Sequence, residues 1–223
     1  PVPWPTADLA PALGRATHLL SSVAPDAAGD PVLRAEAEAI ARAAPHIQWA
    51  GYLSTTGVYG DHLGGWVDEA TPLTPATDRG RARVTAEAAW QALAARSGLP
   101  LHIFRLAGIY GPGRGPFEKV RDGTARRIVK SGQVFSRAHV EDIAQVLEAS
   151  IRHPNPGAVY NLCDDDPAPP EDVIAHAAKL LGRPVPEAIP YDRAELSPMA
   201  RSFYAESKRV SNARIKSELG ITL

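Results

Sequence analysis

Apolar positions along the chain gather into short runs, separated by longer stretches whose hydrophobic residues recur at helical spacing. "ATHLLSSVAPD" (Ala16 to Asp26) starts as a short buried strand over Thr17 to Ser22 and stops in a proline-containing turn. In "GDPVLRAEAEAIARAAP" Asp30 stands at an N-cap position and Pro31 at the first helical position, which predicts a helix ending before Pro45. "WAGYLSTTGVYGD" (Trp49 to Asp61) reads as an apolar strand that runs into Ser54, Thr55 and Thr56 and breaks at glycine. After a polar loop, "TDRGRARVTAEAAWQALAARSG" predicts a long amphipathic helix stopped at Gly98, and "LPLHIFRLAGIYGPGRG" a buried strand ending in glycine and proline.

These strands lie too far apart for hairpins, so the pattern implies parallel strands joined by helical crossovers, an α/β fold. The second half is less regular. "SRAHVEDIAQVLEASIRH" predicts a helix, "GAVYNLC" a short strand, "PPEDVIAHAAKLLG" a helix opened by proline and acidic residues, and the tail a proline-rich loop with a basic helical end.

In open α/β sheets ligands bind beyond the carboxyl ends of the strands, so the three hydroxyls closing the Trp49 strand are either ligand contacts or ordinary strand-end turn chemistry. With 223 residues, 24 Lys and Arg against 25 Asp and Glu, and a net charge of -1, no overall field points to nucleic acid or anionic membrane. The single cysteine, Cys163, excludes an intrachain disulfide framework and suits a reducing compartment, and a cytoplasmic location is expected. No apolar run reaches the ~20 residues of a membrane span. The histidines lack metal-ligand spacing, and the acidic run Asp164 to Asp166 reads as solvated capping, so no metal is expected.

Five ordered words, "YLSTTGVYGD", "RLAGIYGPG", "AHVEDIA", "AVYNLCDDD" and "SKRVSNARIKSELG", are spread from Tyr52 to Gly220. Together they resemble the extended short-chain dehydrogenase/reductase family, the NAD-dependent epimerases and dehydratases of nucleotide sugars. The resemblance implies a Rossmann-type parallel sheet flanked by helices, with residues 1–116 forming the C-terminal part of an NAD(P)-binding domain. Residues 117–223 would form a mixed substrate lobe that returns one strand and helix to the core. It also implies NAD or NADP as cofactor and a small-molecule substrate, with no nucleic acid or membrane partner and a homodimer left open.

Two departures qualify the likeness. The family's glycine-rich turn is absent and the Thr17 to Ser22 strand resembles the family's fourth, so about two βα units of ~30 residues are expected ahead of Pro1. The opening "PVPWPTADLAP" accordingly reads as the middle of a longer chain. Secondly, counting back from Ala86 and Glu87 puts Arg79 at the family's catalytic tyrosine and Arg83 at its lysine. Arginine stays protonated and does not act as a general acid/base, which points to the family's atypical branch.

By the same resemblance Thr55 orients the reacting oxygen, and Ser22, Val23, Ala24, Ser54, Arg83, Ala107, Gly108 and Ile109 border the cofactor. Thr56, Arg114, Arg137 and His139 are the candidate substrate contacts, Arg137 in place of the family's arginine two positions earlier, which is Phe135 here. Bland alternatives stand beside these roles: a strand-end cap for Thr55, a surface pair with Glu87 for Arg83, a solvated loop position for Arg114 and a helix brace for His139. A non-catalytic dinucleotide- or partner-binding module remains the rival to an enzyme.

Overall fold

In the computed structural model, which describes Trp4 and residues 8–223, each predicted strand–helix alternation is realised. The opening segment read as mid-chain lies largely outside the described residues. The elements run α1 (Ala10–Leu13), β1 (His18–Ser21), α2 (Pro31–Ala43), β2 (Trp49–Thr55), β3 (Trp66–Val67), α3 (Asp78–Ser97), β4 (Leu101–Leu106) and β5 (Gly108–Tyr110). They continue with α4 (Pro116–Arg121), β6 (Arg127–Val129), β7 (Arg137–His139), α5 (Val140–Arg152) and β8 (Val159–Leu162). The chain closes with α6 (Pro170–Leu180), β9 (Ala188–Pro190), α7 (Pro198–Phe203), β10 (Arg209–Val210) and α8 (Ala213–Leu219).

The main sheet has the order β1-β2-β4-β8, with every pair parallel. Smaller parallel pairs join β3 to β10, β5 to β7 and β6 to β9. Successive side chains of a strand point to opposite faces, and the core divides accordingly. On one face Tyr52, Leu101 and Ile103 pack with Ile40 of α2 and Trp90 and Leu93 of α3. On the other, Trp49, Phe104 and Tyr160 meet Val146 of α5 and Ile215 of α8. Gly51 leaves room for the Trp49 ring, since a Cβ there would stand 2.3 Å from its Cη2. In the C-terminal half, Val120 of α4 and Ala177 and Ala178 of α6 form a separate small cluster.

Local chemistry places the helix ends. The Asp30 carboxylate accepts from Leu33 N at 3.0 Å, capping α2 as its position predicts, and its other oxygen takes the Trp90 indole N–H at 3.1 Å, tying α2 to α3. Thr77 caps α3, and Gly98 closes it in the left-handed conformation at φ 72°. Two expectations change. The buried stripe of α3 contains Gly80 and Glu87 beside Trp90 and Leu93, so this helix is far less amphipathic than predicted; its buried carboxylate has a specific partner, described below. Secondly, α5 starts at Val140, because Arg137–His139 is a strand paired with β5.

His102 of β4 is fully buried beneath the Trp49 ring, at 5.7 Å between centroids. Its Nε2 accepts from Asn155 N at 2.9 Å and its Nδ1 lies 3.2 Å from Ala50 O, which fixes a neutral ring as donor at Nδ1. Burial lowers its pKa below 6.5. Because the unfolded chain then binds more protons, stability rises with pH across this window. It is therefore whole above about pH 6.5 and declines as the pH falls from there towards the folded-state pKa. Thermal melts between pH 8 and pH 5 should show this loss, and His102→Gln should be less stable at pH 8 but lose less on acidification.

Candidate functional site

A cavity of about 1210 Å³ opens where β1, β2 and β4 end and continues under the C-terminal segments. Its wall includes Ser22 and Ala24 after β1, Leu53 to Gly57 at the end of β2, and Leu106 to Tyr110 after β4. The opposite side is built from Arg114, Lys119, Arg126, Phe135, Ser136, Arg137, Phe203, Tyr204, Glu206 and Lys208, among others. Seven cationic side chains (Arg79, Arg83, Arg114, Lys119, Arg126, Arg137 and Lys208) face this cavity against one carboxylate, Glu206. Such a lining favours an anionic ligand.

Behind Ser54 of the wall lies a buried polar network. Arg105 of β4 donates from Nε to Glu87 Oε1 at 3.2 Å and from Nη2 to Glu87 Oε2 at 2.8 Å, with the two side chains 6% and 3% exposed. Its remaining nitrogen donates to the Tyr59 hydroxyl at 2.9 Å, which in turn donates to Asn161 Oδ1 on β8 at 2.7 Å. The Ser54 hydroxyl also donates to Glu87. Burial raises the Tyr59 pKa despite the adjacent Arg105 guanidinium, so the phenol stays protonated. At the sheet edge the Glu69 carboxylate takes the Asn161 N–H at 2.7 Å.

This network revises one reading. Arg83 makes no surface pair with Glu87, because Glu87 is turned inward to Arg105. Arg83 Nη1 instead donates to Leu53 O at 2.7 Å and to the Tyr52 hydroxyl at 2.9 Å, which anchors its guanidinium at the cavity wall. Burial pushes the Tyr52 phenol up to about 12, against the pull of Arg83. Arg79, one turn earlier, lies with its guanidinium 4.7 Å from the centre of the Phe203 ring, joining α3 to α7 beside the cavity.

Of the residues singled out from sequence, Ser22, Ala24, Ser54, Thr55, Thr56, Arg83, Ala107, Gly108, Ile109, Arg114 and Arg137 come together in the wall. Val23 and His139 are not part of it. His139 caps α5 by accepting from Glu141 N at 3.3 Å and meets Tyr110 edge-on at 5.1 Å. Thr55 Oγ1 accepts from Gly57 N at 3.2 Å, so it caps the turn while keeping its own proton free to donate. Arg137 donates to Phe135 O and Ala168 O, and burial lowers its pKa.

Sequence reasoning missed Lys119, Arg126, Tyr204, Glu206 and Lys208 as cavity residues, although Lys208 stands in the quoted word "SKRVSNARIKSELG". It also missed the Glu87–Arg105 pair, for which a charged residue within an otherwise apolar strand is the available signal. Cys163 is buried, with its thiol pushed up to about 12, and is chemically quiet. Among the described residues no cluster of His, Cys, Asp or Glu is arranged to hold a metal ion, and no helix is long and apolar enough to cross a membrane.

A parallel α/β sheet with helices on both faces and a cationic cavity at the strand carboxyl ends is a Rossmann-type architecture. The chain belongs to the NAD dependent epimerase/dehydratase family, whose model matches residues 37–163. A solved structure of a functionally unknown conserved protein from Silicibacter pomeroyi DSS is 63% identical, with a TM-score of 0.95, covering 100% of this chain and 77% of that one. Protein YeeZ of Escherichia coli K12 is 34% identical over 138 residues, 61% of this chain and 47% of that protein. UDP-glucuronic acid 4-epimerase from Bacillus cereus, solved with NAD, shares the fold at a TM-score of 0.74 and 16% identity, over 97% of this chain and 72% of its own. The chain spans about half the length of the curated relatives it matches.

Removing one partner of the buried pair leaves a charge in the interior without its counter-ion. Glu87→Ala or Arg105→Ala should each lower stability by about 3–5 kcal/mol, measured by urea unfolding. The double variant Glu87→Leu with Arg105→Met should lose less than either single variant.

Proposed function

We propose that this protein binds NAD or NADP and acts as an oxidoreductase or isomerase on a hydroxyl or carbonyl group of a sugar nucleotide or similar anionic substrate. The observation that carries this reading is the cavity at the carboxyl ends of β1, β2 and β4, with seven cationic side chains against one carboxylate. Membership in an NAD dependent family supports it, as does the shared fold of an epimerase solved with NAD.

The residues present fit the nicotinamide-ribose part of such a cofactor. Ser21, at the end of β1, has a buried hydroxyl oxygen without a partner, next to the exposed backbone of Ser22 and Ala24 in the wall. Gly108 is exposed at the end of β4 and carries no side chain to keep a flat ring away. In this reading Ser22, Ala24, Ser54, Arg83, Ala107, Gly108 and Ile109 border the cofactor, Ser54 through its backbone because its hydroxyl is bonded to Glu87, while Val23 stands outside the wall. When bound, the nicotinamide supplies hydride transfer. Thr55 donates its free hydroxyl proton to the reacting oxygen, Thr56, Arg114 and Arg137 hold the substrate, and His139 acts on it only indirectly, through α5 and Tyr110. Residues 1–116 carry the cofactor side and residues 117–223 the substrate side.

A second reading, a binding module without turnover, is favoured by Arg79 at the tyrosine position, since its guanidinium stacks on Phe203 and moves no proton near neutrality. The two are separated by titrating the full chain with NADH and NADPH, followed by tryptophan fluorescence, and then screening UDP-glucuronic acid and dTDP-glucose for turnover. The enzyme reading expects saturable dinucleotide binding and turnover; the module expects binding alone. Thr55→Val should lower kcat roughly 10- to 100-fold with dinucleotide binding unchanged, the effect of one lost hydrogen bond to a developing charge. Unchanged turnover would remove Thr55 from the mechanism.

A further inference from the structure

With Arg79 and Arg83 on α3 and Thr55 at the end of β2, this side of the cavity holds no group that exchanges a proton near neutral pH. Glu206 and Lys208, from the segment that leads into β10, bring a carboxylate and an ammonium to the same cavity. Lys208 Nζ donates to Glu206 Oε2 at 2.7 Å and to Gly60 O at 2.7 Å, and an ammonium has a third N–H to give. Glu206 Oε1 is buried with no hydrogen-bond partner. The two side chains are 11% and 10% exposed, and both line the cavity.

The backbone beneath the pair is fixed from several directions. Gln133 Nε2 donates to Glu206 O at 2.6 Å, and Ser207 N donates to Asp61 Oδ1 at 2.8 Å. Ser207 Oγ donates to Gly132 O at 2.7 Å and accepts from Val134 N at 3.1 Å. Gly60 closes the turn that follows β2, so the ammonium is tied to the same strand end that presents Thr55. Among the described residues no donor reaches Glu206 Oε1, and an unmet buried acceptor is destabilising until a partner is supplied. One acceptor without a donor beside one donor without an acceptor is the complement of an alcohol.

We propose that Glu206 and Lys208 are the hydroxyl-binding and proton-transferring pair of this cavity. The inference rests on the oxidoreductase reading above. The ligand alcohol donates its O–H to Glu206 Oε1 and accepts from Lys208 Nζ. In the oxidising direction the C–H bond breaks and its electron pair leaves as hydride to an oxidised nicotinamide dinucleotide. The O–H bond breaks with it, the proton passes to the Glu206 carboxylate, and the C–O bond becomes C=O; reduction reverses each transfer. The pair thereby fills the role that a tyrosine at position 79 would have had.

The test uses the full chain as wild type, Glu206→Gln and Glu206→Asp, with thermal melts to establish that each is folded. Calorimetry measures binding of UDP-glucuronic acid, of UDP, which lacks the sugar hydroxyls, and of NADH; a stopped-flow single turnover with NAD gives the chemical step and its pH profile. Glu206→Gln should bind UDP and NADH as wild type does, weaken UDP-glucuronic acid about 10-fold, lose the single-turnover step by about 100-fold or more, and lose the acid limb of the profile. Glu206→Asp should recover part of the rate. Wild-type rate, profile and sugar-nucleotide binding in Glu206→Gln would overturn the pair alone, as would parallel loss of UDP, NADH and UDP-glucuronic acid binding, which marks a structural clamp. A wild type that binds no sugar nucleotide would overturn the substrate reading, and the pair with it.

Discussion

Taking a carboxylate and a guanidinium out of water carries a penalty that only close, well-oriented pairing offsets. Glu87 and Arg105 meet that condition through two parallel hydrogen bonds behind the cavity wall. Because Arg105 reaches Tyr59 and Tyr59 reaches Asn161, the pair links α3, β4, the turn after β2 and β8 in one chain of contacts. Ser54 joins from β2 itself. The strand end that presents Thr55 and Thr56 is thereby fixed by polar contacts beside the apolar cluster of Val58, Tyr59, Ala107, Cys163 and Val210.

Two further cations tie the same region through its backbone carbonyls. Arg83 holds Leu53 O and Lys208 holds Gly60 O, one on each side of the hydroxyl-bearing turn. A carbonyl at the end of a central strand has no further ladder partner, so a long basic side chain from a helix or a distant loop satisfies it. That leaves the hydroxyl of Thr55 as a donor with its proton free, in a cavity whose charge is strongly positive. The polar strand end is therefore both a structural closure and a chemically open surface.

The scaffold was legible because its rules are local. Asp30 before Pro31 and Gly98 after Ser97 mark helix ends in any context, since each meets the needs of unpaired backbone groups within a few residues. The buried strands announced themselves as apolar runs, and the distance between them required crossovers. The amphipathic reading of α3 failed for a reason equally physical: its inward face includes Glu87, whose burial depends on an arginine 18 positions away. For His139 the sequence offered both a substrate contact and a helix brace, and the structure shows the cap, because its ring nitrogen is within reach of Glu141 N once Arg137–His139 is drawn into a strand.

By itself the sequence determined the alternation of strands and helices and the polar strand end after Leu53, because each is written in neighbouring residues. Only the tertiary structure decided which charges are buried and with whom. Glu87 turned from a surface partner of Arg83 into the counter-ion of Arg105, and Glu206 and Lys208 became part of the cavity wall although nearly 150 residues separate Lys208 from Gly60. The energy of an ion depends on its distance to every other charge and to water, and the linear chain fixes neither.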